Sequence, residues 1–313
     1  MKKKTKLVSY VKWGYIFLIP FFVAYLIFSF IPLVSTFYNS FFENYVVGLT
    51  QIGPKFVGLD NYKYIFLQSE LLKYIKNTGI IWIIGFVFQI FFSLLLAAWF
   101  TDLKLRLKTG LFKTIIYMPN LIMAAAFSML FFAMFSPGGP VNNMLVHMGL
   151  PEYRFLSEVA GTRGLIAFMN FLMWFGNTTI ILMAAIMGID GSLFEAARID
   201  GANSWQIFKK ITMPLIKPIL AYVLITSLIG AVQMFDVPQI LTNGNGGPNR
   251  TSMTAVMYLN KHLYSKNYGL AGAVSVILFV ITSVLSIFVY KFITKDPDYV
   301  KAKKTKKKEE RSR

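Results

Sequence analysis

Long apolar runs bounded by charged residues constrain this chain more than any other feature of its sequence. A helix needs roughly 20 residues to cross about 30 Å of hydrocarbon, and such helices satisfy their own backbone polar groups there. Six runs reach this length, which predicts an all-α integral membrane protein with six transmembrane helices. The predicted spans are residues 13–36, 77–100, 112–136, 164–188, 219–241 and 270–290. The first run is too long for the core of a secretory signal, so we expect it to be retained.

The composition agrees with burial in lipid. Of 313 residues, 56% are hydrophobic and 15% are charged, whereas a soluble domain carries roughly a quarter charged residues. The chain has no cysteine, which excludes disulfides, thiolate metal ligands and a cysteine nucleophile. Its two histidines, His147 and His262, lie far apart in predicted loops, so we expect no metal centre.

The distribution of Lys and Arg predicts the orientation of the chain. The tails 1–12 and 291–313 and the loops 101–113 and 189–217 hold 5, 10, 4 and 4 of the 32 basic residues. Cytoplasmic segments carry this excess in membrane proteins, so we expect both termini to be cytoplasmic, on either side of one membrane domain at residues 13–290. A net charge of +18 would suggest a nucleic-acid partner in a soluble chain. Here we interpret the basic tails as topology anchors beside anionic membrane lipid and expect no nucleic acid.

Four prolines fall inside predicted spans: Pro20 and Pro32 in the first, Pro119 in the third and Pro238 in the fifth. Proline lacks a backbone donor and clashes with the carbonyl four residues earlier, so each predicts a kink. Membrane helices tolerate this when neighbouring groups satisfy the freed carbonyls. The prolines therefore indicate a packed bundle with a cavity.

The loop 189–218 has the pattern of two short helices rather than of a plain connector. Ser192 followed by Glu195 fits a capping box, in which the hydroxyl and the carboxylate satisfy free amides at a helix start. This helix would end at Gly201, the residue type that most readily adopts a left-handed helix end.

A second short helix is predicted after that turn. Asn203 and Gln206 fit another cap, Pro214 would end the helix, and Pro218 would stand at the entry to the fifth span. The helix carries apolar residues where lipid does not explain them, which is typical of an interaction surface. They are Trp205, Ile207, Phe208 and Ile211.

Residues 195–214, EAARIDGANSWQIFKKITMP, resemble the EAA signature of permease subunits of binding-protein-dependent ABC importers. The matching positions are Glu195, Ala196, Ala197, Asp200, Gly201, Ala202, Phe208, Ile211 and Pro214. Met213 stands where leucine is more usual, a swap that conserves volume. Two further strings, Lys55–Phe66 and Phe235–Thr254, resemble segments of the carbohydrate-importing branch, the relatives of the maltose and glycerol-phosphate permeases.

The resemblance implies a fold and a set of partners. The fold is the type I ABC importer permease bundle, whose cytoplasmic EAA loop is a coupling helix seated in a cleft of a separate ATPase subunit. Glu195 would offer its carboxylate to a basic residue of that subunit, and Gly201 would set the angle between the two helices. A second permease subunit, forming a heterodimer, two ATPase subunits and an extracytoplasmic solute-binding protein would complete the importer. The plainer interpretation is that Glu195 only caps a helix and Gly201 only ends it.

ATP is expected on the partner rather than on this chain. The sequence contains no Gly-Lys pair and hence no phosphate-binding loop of the form G-x-x-x-x-G-K-[ST]. We therefore expect that the chain is not an enzyme and binds no cofactor, with ATP and Mg held by the ATPase subunit.

Polar residues at helical spacing within the spans predict a solute path. Asp236, the only acidic residue in the six predicted spans, lies one turn after Gln233, and an intramembrane carboxylate marks a candidate site because it is costly to bury. Further side chains share faces in the second and fourth spans: Gln89, Ser93, Asn170, Trp174, Asn177 and Thr178. Amides, a carboxylate and an aromatic platform suit a sugar. The same groups also hydrogen-bond between membrane helices, and Asp236 could instead cap the adjacent outer loop.

The predicted function is that of a transmembrane permease subunit of an ATP-driven sugar importer in the cell membrane, with an oligosaccharide as the favoured solute. Glycerol phosphate or another polyol derivative is an alternative. A secondary transporter would show more intramembrane ionisable residues and an inverted repeat, and a non-transporting scaffold would not need the loop signature. The residues do not identify the sugar, because in this family the binding protein usually selects it.

Overall fold

The computed structural model describes residues 11–101 and 109–293, which fall into two compact units. Of the described residues, the first unit comprises 11–69 and 259–277, and the second comprises 70–101, 109–258 and 278–293. Most of the two predicted basic tails and of the loop 101–113 lies outside the described residues.

The first unit begins with a long helix that contains one widened turn. Helix α1 (Val11–Tyr25) continues into a π-helical segment (Leu26–Phe30) and then into α2 (Ile31–Ser40). Pro32 stands in the first turn of α2, directly after the π segment. A π turn is a common way for a helix to accommodate a local disturbance. The irregularity predicted at Pro32 is therefore a π turn, and Pro20 lies within α1.

A two-stranded antiparallel hairpin follows, made of β1 (Phe42–Val47) and β2 (Thr50–Phe56). The predicted helical fold class is confirmed, and the hairpin is an addition to it that was not predicted. The segment lies between spans, where the length of apolar runs gives no information about secondary structure. It is rich in aromatic and β-branched residues, which favour strands. Phe42 and Phe56 pair across the hairpin with ring centroids 5.4 Å apart. Helix α3 (Asp60–Leu67) packs beside it, and Asn61 donates to the carbonyls of Ser40 and Phe42.

The second unit is a helical bundle around two long helices, α4 (Leu71–Phe100) and α8 (Val159–Met187). The shorter helices are α5 (Thr109–Leu121), α6 (Ala124–Phe135), α7 (Pro140–His147), α9 (Gly191–Ile199), α10 (Ser204–Ile207), α11 (Met213–Leu215), α12 (Lys217–Val232) and α13 (Asp236–Leu241). The chain passes between the two units within α14 (Ala255–Tyr264) and α15 (Tyr268–Ile293).

Six segments of the described residues are long and apolar enough to cross a membrane. They are Lys12–Ser40, Leu71–Phe100, Ala124–His147, Val159–Met187, Lys217–Leu241 and Tyr268–Ile293. The predicted number of spans is confirmed, and five of the six predicted ranges fall within or nearly within these segments.

The third predicted span, residues 112–136, is wrong as a single helix. Helix α5 ends at Leu121, two residues after Pro119, and the chain is extended at Met123 before α6 begins. Proline removes a helical hydrogen bond, and an apolar run by itself does not show whether a helix bends or breaks there. Beside the break, the side-chain Nδ2 of Asn120 donates to the backbone carbonyl of Met173 in α8 at 3.0 Å.

Close backbone contacts hold α8 at the centre of the second unit. A Cβ atom on Gly176 would lie 1.9 Å from the carbonyl oxygen of Ile116, so only glycine allows α5 to approach α8 this closely. Small residues at helix contacts are typical of membrane bundles, where van der Waals packing drives association. One buried apolar cluster joins α4, α6, α8 and α13, and a second joins α4, α8 and α12.

Candidate functional site: the helical cavity and the 189–218 loop

The first loop helix, α9, has a different cap from the one predicted. Asp190 is its N-cap, and its Oδ1 accepts from the backbone amide of Ser192 at 3.0 Å. The predicted capping box of Ser192 and Glu195 is wrong, because a carboxylate two residues earlier already occupies the cap position and is the stronger acceptor. The same hydrogen bond from the Ser192 amide lowers the pKa of Asp190.

The helix ends as predicted at Gly201, where φ is +78°. The amide of Gly201 donates to the carbonyl of Arg198 at 3.1 Å, and the amide of Ala202 donates to that of Ala197 at 2.9 Å. This pair of bonds is the Schellman motif, which satisfies the last helical carbonyls and fixes the direction of the exit chain. These hydrogen bonds leave Gly201 at the turn between the two loop helices.

The second loop helix starts with the predicted cap. The side chain of Asn203 accepts from the amide of Gln206, and the side chain of Gln206 accepts from the amide of Asn203, both at 2.9 Å. The helical stretch ends at Leu215, one residue after Pro214, close to the predicted end. A π segment (Phe208–Thr212) lies directly before α11, and this wider turn allows the helix to continue through it. Pro218 lies in the first turn of α12, at the predicted entry to the fifth span.

The loop presents its signature residues to solvent. Glu195, Ala196, Asp200, Gly201 and Pro214 are exposed, and Ala197, Ala202, Phe208 and Ile211 are half-buried. Within the described part of the chain, no ion pair or hydrogen bond engages the side chain of Glu195.

Large apolar side chains are also exposed on the loop. Trp205 is 67% exposed and stacks on Phe208 with ring centroids 5.8 Å apart. Leu193 and Ile199 are exposed as well and were not singled out from the sequence. Such a patch on short, well-capped helices is suited to contact with another protein.

A cavity of about 520 Å³ lies among α4, α8, α12 and α13. Its volume is in the range of sites for small molecules. Seven of the eight polar residues singled out in the spans line it, and Ser93 does not: Gln89, Asn170, Trp174, Asn177, Thr178, Gln233 and Asp236.

Some of these polar groups are used for packing between helices. Gln89 Nε2 donates to Thr178 Oγ1 at 2.7 Å, which ties α4 to α8 in a buried position. Ser93 similarly donates to the carbonyl of Phe175 at 2.9 Å, and Asn170 donates to the carbonyl of Ile166 within its own helix. These groups fit the alternative of hydrogen bonds between or within membrane helices.

Other polar groups in the cavity are free to meet a ligand. Among the described residues, the side chains of Asn177, Gln233 and Asp236 have no hydrogen-bond or ion-pair partner. Trp174 is 48% exposed and lies beside Asn177 and Asn170 in the cavity wall. Free amides, a carboxylate and an indole face can bind a polyhydroxylated ring through hydrogen bonds and stacking.

The fifth span is interrupted between Gln233 and Asp236, so these residues do not share one continuous helical face as predicted. Helix α12 ends at Val232, α13 starts at Asp236, and Phe235 between them is not helical. The interruption still leaves both side chains in the cavity wall. Pro238, predicted to kink the span, lies in the first turn of α13, where its missing amide is tolerated.

The sequence analysis missed several cavity residues. Trp82 donates through Nε1 to Ser227 Oγ at 2.9 Å, and Tyr222 and Thr226 line the same wall. A signal was present, because Trp82 precedes Gln89 by seven residues and Thr226 precedes Gln233 by seven, which places each pair on one helical face.

A network of side chains holds the segment 242–254, called here the far-end loop, at the end of the bundle away from α9. Arg163 donates through Nε to the carbonyl of Thr251 at 2.9 Å and through Nη2 to Asn77 Oδ1 at 2.7 Å. Asn77 in turn donates to the carbonyls of Arg250 and Met253.

Glu70 anchors the rim of this network. Its carboxylate pairs with Arg250 at 3.0 Å and with Lys73 at 2.9 Å, and it accepts from the hydroxyl of Tyr74. The hydrogen bond from Tyr74, followed by those from Lys73 and Arg250, lowers the pKa of Glu70 to about 2.

The fold and the two sites define a polytopic membrane protein with a polar cavity in its bundle and a helical loop exposed at one end. Residues 89–296 match the family described as "Binding-protein-dependent transport system inner membrane component". The match covers more than half of the chain, so the chain belongs to this family of permease subunits. The predicted localisation as a multi-pass cell-membrane protein is thereby confirmed.

Individual relatives cover nearly the whole chain. It is 31% identical over 277 residues to the lactose transport system permease protein LacF of Rhizobium radiobacter. This alignment covers 87% of this chain and 91% of LacF. It is 34% identical over 267 residues to the osmoprotective compounds uptake permease protein GgtC of a Synechocystis species, covering 82% of this chain and 89% of GgtC.

A solved structure has the same fold. A chain of the bacterial alginate ABC transporter, crystallised in complex with an alginate pentasaccharide-bound periplasmic protein, aligns with a TM-score of 0.74 and 26% identity. The alignment covers 90% of this chain and 94% of that chain. The predicted resemblance to ABC importer permeases is confirmed.

Proposed function

We propose that this chain is the permease subunit of an ATP-driven sugar importer and that an oligosaccharide passes through its cavity. The observation that carries the proposal is the convergence of free amides, a carboxylate and an exposed indole on one cavity in a member of this family. The names of the relatives support a carbohydrate, since they include a lactose permease and a trehalose/maltose permease.

The assembly in the proposal has four kinds of subunit. The 189–218 loop faces the cytoplasm and docks on an ATPase subunit, which holds ATP and Mg, while a second permease pairs with this chain and a binding protein delivers solute from outside. The exposed apolar side chains and the unpaired Glu195 carboxylate of the loop support docking. The first span, Lys12–Ser40, supports contact with lipid or a second permease, since none of its most apolar stretch is buried.

The proposed mechanism is the one that the resemblance to ABC importer permeases implies. ATP binding closes the ATPase dimer, and the docked loop turns this closure into rotation of the bundle from inward-open to outward-open. A Schellman end at Gly201 and a complete capping box at Asn203 support this role, because a lever must resist bending where force is applied.

Glycerol phosphate receives less support as a solute. Phosphate groups are usually bound by Arg, Lys or helix N-termini. The described residues that line this cavity include the carboxylate of Asp236 and no Lys, Arg or His. A neutral sugar therefore fits this chain's share of the path better.

Uptake in a strain that lacks the chromosomal copy tests the function. Cells carrying the wild-type chain are given radiolabelled glucose, lactose, maltotriose and glycerol 3-phosphate. For the sugar that is transported, Trp174→Ala and Asp236→Ala should each lower the uptake rate at subsaturating solute by about tenfold, which corresponds to about 1.4 kcal/mol of lost interaction. Trp99→Ala is the matched control, because Trp99 is exposed and does not line the cavity.

Two results would contradict the proposal. Uptake of glycerol 3-phosphate alone would replace the sugar by a polyol phosphate. Normal uptake by correctly assembled Trp174→Ala and Asp236→Ala variants would remove the cavity from the solute path.

A further inference from the structure

Pro238 leaves a buried backbone acceptor without its helical partner. The carbonyl of Met234 lies in the interruption before α13 begins at Asp236, and the residue four positions later is a proline, which has no amide to donate to it. The Oγ1 hydroxyl of Thr254 donates to that carbonyl instead, at 2.7 Å, and Thr254 is fully buried. An unpaired buried carbonyl is costly, so a hydroxyl from a distant part of the chain takes the place of the missing amide.

Thr254 is itself fixed relative to α4. The amide of Ala255 donates to Thr78 Oγ1 at 3.1 Å, and Asn77 Nδ2 donates to the carbonyl of Met253 at 3.3 Å. Both neighbours of Thr254 in the sequence are thus bonded to one turn of α4. The position of its hydroxyl is determined by that helix rather than by the fifth span.

The far-end loop is tied to α8 in addition. Arg163, near the start of α8, bonds the carbonyl of Thr251 and the side chain of Asn77. The two longest helices of the second unit therefore fix the loop, and the loop fixes the carbonyl of Met234.

We infer that Thr254 is a positioning residue for the solute path, which sets the interruption at residues 233–235 and thereby aims Gln233 and Asp236 into the cavity. This inference rests on the proposed function of the cavity. Thr254 does not line the cavity, so it acts through the chain segment that it holds. Displacement of the far-end loop is transmitted to the cavity wall through this hydrogen bond.

Cysteine labelling in the assembled transporter tests the inference, since the chain has no cysteine of its own. Met234 is 8% exposed, so Met234→Cys should react slowly with a small maleimide. Adding Thr254→Val removes the donor at nearly constant size and should raise the labelling rate at least about fivefold, the factor expected from a modest loss of local stability. Thr254→Ser keeps the hydroxyl and should restore the slow rate.

The controls separate positioning from folding and from transport. Thr282→Val, in which the lost hydroxyl bonds only the carbonyl of Leu278 in its own helix, should leave labelling at position 234 unchanged. Gln233→Cys, at an exposed position, should react rapidly in every background. Sugar uptake is measured on the same Thr254 variants without the added cysteine, and Thr254→Val should lose uptake while its amount in the membrane stays normal.

The outcomes are distinct. Equal labelling of Thr254→Val and Thr254→Ser would overturn the positioning role, whatever is transported. Increased labelling in a transporter that moves no sugar would leave the hydrogen bond's role standing and overturn the proposed function. Thr254→Ala provides a second donor-free variant, and failure of both donor-free variants to assemble would also overturn the inference, because the hydroxyl would then be needed for folding.

Discussion

At the scale of single residues, the chain separates polar groups that fasten helices from polar groups that are free. Gln89 and Thr178 bond each other across two helices, whereas Asn177 and Asp236 have no partner among the described residues. Sequence spacing placed all four on cavity-facing surfaces and could not assign these roles. A role depends on whether another side chain lies within about 3 Å, which is a tertiary property.

Glu70 gives a pH-dependent prediction at this scale. Its pKa is lowered from 4.5 to about 2 in the folded protein. A lowered carboxyl pKa adds stability that is fully present above the unfolded value and is lost as pH falls from about 4.5 through about 2. Wild type should therefore exceed Glu70→Gln in thermal midpoint at pH 6, and the difference should shrink progressively below pH 4.5.

The measurement is thermal unfolding of the purified protein in detergent across that pH range. Glu152→Gln is the control, because Glu152 is an exposed carboxylate without an ion pair in the described ranges. A Glu70 difference that stays constant down to pH 2 would show that its ion pairs with Lys73 and Arg250 do not stabilise the far-end loop.

At the scale of elements, prolines act differently according to what surrounds them. Pro32 follows a π turn and its helix continues to Ser40, whereas the helix ends one residue after Pro214 and two residues after Pro119, and the chain is interrupted just before Pro238. Pro32, Pro119 and Pro238 were predicted to kink their spans and Pro214 to end a helix, because the missing amide is a local property. The form of each irregularity depends on which neighbour satisfies the freed carbonyl, as Thr254 does for Met234.

Gly201→Asp tests the loop as a docking element. The variant should remain in the membrane, because the change lies in a loop. In a pull-down it should retain at least about tenfold less ATPase subunit, which corresponds to a loss of about 1.4 kcal/mol of binding free energy. The reason is that a charged side chain would stand at the turn between the two docking helices. Gly149→Asp is the matched control, since Gly149 also has a positive φ, of +76°, with open space around it, and lies at the other end of the bundle. Undiminished association of the Gly201 variant would leave only the capping role.

Gly176→Ala tests the contact between α5 and α8. A Cβ there would collide with the carbonyl oxygen of Ile116, so the variant should lose about 1–3 kcal/mol of stability through overpacking and unfold at a lower temperature. Gly164→Ala in the same helix meets open space and should be neutral or stabilising by up to about 1 kcal/mol, since alanine favours helix over glycine. Equal thermal midpoints for the two variants would contradict the close approach.

At the scale of the whole molecule, the orientation in the membrane remains a prediction from the basic residues. Ser157 and Ser204 lie beyond opposite ends of α8, whose 29 residues extend roughly 43 Å. In right-side-out membrane vesicles, an impermeant maleimide should label Ser157→Cys directly and Ser204→Cys only after permeabilisation. The unmodified chain, without cysteine, gives the background. Direct labelling of Ser204→Cys would place the loop outside and rule out an ATPase partner there.

The sequence by itself determined the six apolar segments, the turn at Gly201, the cap at Asn203 and the set of polar residues that meet in the cavity. These features depend on residue type and local spacing, which a linear sequence contains. Only the tertiary structure decided that a hairpin follows the first span, that the third and fifth spans are interrupted, and which cavity side chains remain free. The interruptions and the free side chains depend on partners distant in the sequence: Met173 for Asn120, Thr254 for Met234, and Thr178 for Gln89. A buried polar group is satisfied by whatever the fold brings within hydrogen-bonding distance, and spacing along the chain does not specify that neighbour.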